Sequence, residues 1–162
     1  MKLAPASIMP KSSETLNQPL AILLDEIRLA VDWNRPSILV VLHKSRLGQN
    51  RAVTALERML TGFTVEYVSP DESGARFLSA LLERVRSAQT IFFIKGLGKQ
   101  EKIYDELNLH REKIIENHLK LVFWLLPKEL AALSHRAPDF WAFRHRVVEF
   151  PTERNSRQKA AG

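Results

Sequence analysis

There is no cysteine among these 162 residues. A disulfide framework, a thiolate zinc site and a cysteine nucleophile are all excluded, and the absence suits a reducing compartment. Glycine is sparse, at six residues. Neither phosphate-cradling pattern, G-x-x-x-x-G-K-[ST] or G-x-G-x-x-G, occurs. No apolar run approaches the roughly 20 residues of a membrane-spanning helix. Residues 1–10 carry one Lys and a short apolar stretch broken by prolines, without the core and cleavage pattern of a secretory signal. A cytoplasmic protein with no membrane contact is therefore expected. The formal charge is +6, but half of that excess lies in segments 1–14 and 152–162. The body of the chain is only mildly basic, with acids and bases interspersed, which is not the clustered charge of a nucleic-acid binder.

What is present is a regular alternation. Five short apolar segments, 37–43, 63–68, 90–95, 120–126 and 147–150, are rich in β-branched and aromatic residues; Pro36 precedes the first, and Pro or Gly follows close on each of the others. Between them the apolar period becomes helical: Leu20, Leu23, Leu24, Ile27 and Val31; Val53, Leu56, Met59 and Leu60; Phe77, Leu78, Leu81, Leu82 and Val85; Ile103, Leu107 and Ile114. Ser73 is placed to open the third of these helices and Gly62 to close the second. Residues 127–146 read as two short helices, Lys128–Ser134 and Pro138–Phe143. Strands apolar on both faces, alternating with helices, predict an α/β three-layer sandwich with a five-stranded, mostly parallel sheet. A flavodoxin-like or Rossmann-like order, 2-1-3-4-5, is expected. Residues 15–151 form one domain in this reading. Residues 1–14 are a flexible tail, and 152–162 a second tail or the start of a linker to a following module.

Ligands of open parallel sheets bind outside the carboxyl ends of the strands. The loop after the first strand, His43–Arg51, brings Lys44, Arg46 and Arg51 to a helix N-terminus, where an anion is favoured. The loop after the third strand adds Lys95 and Lys99 around Gly96 and Gly98, a turn able to hold an anion on backbone amides. These five cations are the candidate anion site, for a nucleotide or a phosphate; solvated loops are also basic without any ligand. Glu106 and His110, four apart on one helix with His110 on its core side, supply a carboxylate and an imidazole but no third ligand. His43, His118, His135 and His145 are scattered, and Ser37, Ser45 and Ser69 lack the G-x-S-x-G elbow. No catalytic residue, metal site or cofactor is predicted. Phe140, Trp141 and Arg144 lie in an aromatic and basic block that serves as core lid, docking surface or, least favoured, a platform for stacked bases. Neighbouring residues of a short helix begun by Pro138 point about 100° apart. One of Phe140 and Trp141 should thus be buried against the last strand and the other partly exposed.

From Leu23 to Phe150 the chain resembles an N-terminal region of bacterial multidomain proteins that precedes tetratricopeptide repeats or STAND-type signalling NTPases. The resemblance is carried by Leu107-Asn108, Arg111-Glu112, Leu121–Leu125 and Ala137-Pro-Asp-Phe-Trp-Ala-Phe-Arg-His-Arg-Val-Val-Glu-Phe150. Related sequences have a longer Gly-rich loop where this one has Lys95–Gln100. The resemblance brings no known reaction; it implies a small accessory domain at the head of a larger sensor or scaffold. The function expected is a non-enzymatic interaction or sensory module, whose partner is another protein or a following domain. The second reading is a nucleotide- or anion-binding domain.

Overall fold

The computed structural model describes residues 12–70, 76–97 and 101–151. Five parallel strands make its centre: β1 (Ser37–Leu42), β2 (Thr64–Val68), β3 (Thr90–Lys95), β4 (Lys120–Leu125) and β5 (Arg146–Glu149). β1 and β4 are buried along nearly their whole length, as central strands covered on both faces must be. β2, which carries Thr64 and Glu66, and β5, with four residues, are the edges.

The order across the sheet is β2-β3-β4-β1-β5, with every pair parallel. The expected order 2-1-3-4-5 is therefore corrected at β1, which lies between β4 and β5 and not beside β2. The two-sided apolar character of β1 fixes it as internal without naming its neighbours. The 14 residues of α2 (Arg46–Met59) span about 21 Å at 1.5 Å per residue. The connection that contains it passes β4 and β3 to reach the far edge.

This crossover runs against the direction of all later ones. With right-handed connections, α1 (Ser12–Asp32) and α2 cover one face. The other face receives α3 (Phe77–Arg84), α4 (Glu101–Leu109), α5 (Arg111–Glu116), α6 (Pro127–Arg136) and α7 (Pro138–Ala142). The two cores divide accordingly. Leu23, Ile27, Val53 and Leu56 pack on Leu39, Val41, Phe93 and Trp124. Phe77, Leu81, Leu107, Leu133 and Phe140 pack on Ile38, Val40, Phe92 and Phe123. On the first face one ring from each strand region forms a continuous row: His43–Phe150 (5.0 Å), Phe150–Trp124 (6.4 Å), Trp124–Phe93 (5.4 Å) and Phe93–Tyr67 (5.7 Å).

Helix boundaries depart from the sequence reading at two places. α1 begins at Ser12, inside the segment expected to be a tail, and runs through Pro19. The helix expected over Ile103–Ile114 breaks at His110 into α4 and α5. His110 is consequently exposed and not on the core side. Ser73 lies outside the described residues.

At the amino end of the sheet, α1 and α5 stop alike. Arg35 N donates to Ala30 O and Asn34 N to Val31 O; Leu119 N donates to Ile114 O and His118 N to Ile115 O. This is the Schellman arrangement, with Asn34 (φ 42°) and His118 (φ 52°) in the left-handed position. The buried Lys120 ties the two ends together. Its Nζ donates to Asn34 Oδ1 (2.8 Å) and His118 O (3.1 Å), where two helix C-termini favour a cation. Burial holds its pKa below the usual lysine range.

Candidate functional site

The loops after β1 and β4 leave the sheet toward opposite faces, so their strands mark the switch where a crevice opens at the carboxyl ends. The candidate anion loop lies here. Ser45 Oγ accepts the Gly48 N–H at 3.0 Å and so begins α2. His43 packs under that turn so closely that a Cβ on Gly48 would lie 2.2 Å from His43 Cε1.

The crevice is filled from within the chain. Glu129, in the first turn of α6, accepts the Leu97 N–H on Oε2 (2.9 Å) and the Leu126 N–H on Oε1 (3.0 Å). The Arg46 guanidinium stands 4.0 Å from the same carboxylate. Gly96, at φ +80°, lets Glu129 approach; a Cβ there would be 2.7 Å from Glu129 Oε2. The Glu129 carboxylate thus lies between the Gly96–Leu97 turn, the start of its own helix and Arg46. The five candidate cations do not all converge on it. Arg46 does. Lys95 turns over the Tyr67 ring, 5.4 Å from its centre. Lys44 is exposed at the loop, Arg51 is exposed further along α2, and Lys99 lies outside the described residues. Tyr67 is itself engaged, donating to Glu57 Oε2 at 2.6 Å; burial, then that bond, raise its pKa above the phenol range.

Glu106 caps a helix. Its carboxylate, nearly buried, accepts Phe77 N–H (2.9 Å) and Leu78 N–H (3.2 Å) at the start of α3, which lacks a side-chain cap of its own. A negative charge there also meets the positive end of the helix dipole. Two residues on, Asn108 Oδ1 accepts Asp139 N–H (2.8 Å) and Phe140 N–H (3.1 Å) at the start of α7. Helix α4 therefore caps two other helices.

That second cap organises the aromatic block. Phe140 is wholly buried, edge-on to Phe123 at 5.6 Å. The expected split between the two rings holds, but the burying partner is β4 and not the last strand. Because β1 separates β4 from β5, the helix between them in sequence sits over β4. Trp141 is partly covered, with Arg144 stacked 4.3 Å above its ring. Phe143 is 39% exposed, and Arg111 lies 5.5 Å from its centre. Leu109, at the end of α4, is 71% exposed. The sequence blocks that carry the resemblance, Leu107-Asn108, Arg111 and Ala137–Arg144, thus meet in space as one unit. Phe143, Leu109 and Arg111 were not marked as surface residues from the sequence. The exposed large apolar residue that ends a helix was the available signal.

Among the described residues no group of three or more His, Asp or Glu side chains could hold a metal ion, and no helix is long and apolar enough to cross a membrane.

No family model matches this chain, and no curated protein does. Among solved structures the chain is similar to the RuvB Holliday junction branch migration motor of Thermotoga maritima, with 12% identity over 84% of this chain and 44% of that one, at a TM-score of 0.48.

Proposed function

We propose that this domain is a non-enzymatic interaction module that docks another protein, or a following domain of a larger bacterial chain, through the surface around α7. One observation carries the reading. Within a single five-residue helix Phe140 is sealed in the core while Trp141 and the adjoining Phe143 keep ring surface at the outside. The rings are held rigidly by the Asn108 cap below and by Arg111 and Arg144 above. Exposed aromatic rings on a fixed base, flanked by arginine, are the composition of protein interfaces. The anion-binding reading is less well supported, because the Glu129 carboxylate lies between the Gly96–Leu97 turn, the start of its own helix and Arg46.

The test compares wild type with Trp141→Ala and Phe143→Ala as baits in lysate of the source cells, with urea unfolding to confirm that each bait is folded. Partners lost from both folded variants, and kept by a Lys44→Ala bait, support the reading. Partners retained by all three variants overturn it.

A further inference from the structure

We infer that the α7 surface recognises an acidic segment, one that carries carboxylates beside apolar side chains. The inference rests on the interaction reading and assigns the partner's chemistry.

Arg84 and Arg86 pair with Glu66, Arg136 with Glu101, and Arg146 with Glu26, each within 4.0 Å. Arg111 and Arg144 do not. Among the described residues neither has a carboxylate within that distance, although Glu112 and Asp139 lie close by in sequence; Arg28, Arg35, Arg58 and Arg76 have none either, but of these six only Arg111 and Arg144 lie over a ring. Each instead donates to a backbone carbonyl, Arg111 to Asn108 O and Arg144 to Trp141 O. Each also lies over an aromatic ring, Phe143 or Trp141. Arg111 Nε is buried without any hydrogen-bond partner.

These contacts fix the guanidiniums without neutralising them. A guanidinium has five donors, and one carbonyl bond leaves most of them to give. Stacking on a ring is compatible with a carboxylate in the guanidinium plane, where the fork-to-fork pair forms. Immobilising an arginine beforehand removes part of the entropy cost of binding. The rings and Leu109 supply apolar area between the two charges. Complementary to this is a segment that places carboxylates over Arg111 and Arg144 and an aliphatic or aromatic side chain over Phe143 and Leu109.

The probe is a short synthetic peptide of alternating Glu and Leu, titrated into isotope-labelled protein while the Trp141 indole N–H and the Arg111 and Arg144 Nε–H signals are followed. Saturable shifts confined to residues 108–112 and 138–144, weakened by added sodium chloride, are expected. They should be lost in Arg111→Glu/Arg144→Glu and in Arg144→Glu alone, which lies at the surface and spares the fold. They should persist in Lys44→Glu/Arg58→Glu, two exposed sites away from α7 whose replacement changes net charge by as much. No saturable shift, or equal loss in the Lys44/Arg58 chain, would overturn the assignment. A lysate partner that needs Trp141 but tolerates Arg111→Glu/Arg144→Glu would also overturn it, while leaving the interaction reading in place.

Discussion

Asn108 caps Phe140 across 32 residues of chain, its Oδ1 accepting the Phe140 N–H at 3.1 Å. The residue at the head of that helix, Ala137, has no side-chain acceptor to offer, so a side-chain cap has to come from another element. Asn108→Ala should destabilise the fold by about 0.5–2 kcal/mol, as the loss of an N-cap does. Asn108→Asp keeps an acceptor and should cost less. Urea unfolding of the three chains measures this; an alanine variant as stable as wild type would show the cap to be idle.

The rings of the same helix should separate sharply in the isolated domain. Phe140→Ala empties a sealed site and is expected to cost about 3–5 kcal/mol. Phe143→Ala, at a partly exposed site, should fall near the 1 kcal/mol typical of point changes, and Trp141→Ala between the two. Equal, large losses for all three would make the block a core element only and remove the support for docking.

The crevice can be emptied. In Glu129→Ala the Leu97 and Leu126 amides lose their acceptor, at a cost of about 1–3 kcal/mol. Two N–H groups and Arg46 then face the vacated position, so inorganic phosphate should raise the Tm of this variant by mass action and leave that of wild type unmoved. A comparable rise in wild type would favour the anion-binding reading.

Stability should also fall on mild acidification, through His145. Its Nδ1 accepts the Ile38 N–H at 2.9 Å, which an imidazolium cannot do. Burial first, then Arg35, lower its pKa below the usual value, against a smaller opposing effect of Glu26. The unfolded chain then binds the proton more readily than the folded one. This contribution is complete above the unfolded value of about 6.5 and is lost as pH falls from there through the lower folded value. Denaturant titrations across that window should show a slope that His145→Gln reduces.

Much of this architecture could be read in the chain. β1 and β4 are apolar at successive positions, β2 alternates, and Pro or Gly bounds the strands at one end, so strand positions and edge strands were legible. Which strands are neighbours was not, because Ile38–Val41 are as suited to lie beside β3 as beside β5. The start of α1 was hidden because residues 12–19 contain one apolar side chain, Leu16, and end in Pro19. At the site, the split between Phe140 and Trp141 followed from helical geometry alone. The roles of Glu106, Asn108 and Glu129 did not, since each caps backbone groups brought near by folding; two of those caps are 29 and 32 residues away in sequence. A carboxylate or amide on a helix looks the same in sequence whether it faces water or another helix's first turn.

The place of β1 bears on how the chain can be made. Both strands that flank it come from residue 120 onward, so as the protein leaves the ribosome β1 emerges with no partner available. Its apolar stretch must wait, covered at best by α1 and α2, until most of the chain has been synthesised. The native sheet can close only late, around its first strand. A chain stopped before β4 would expose Ile38–Val41 along both edges and is expected to aggregate or be degraded.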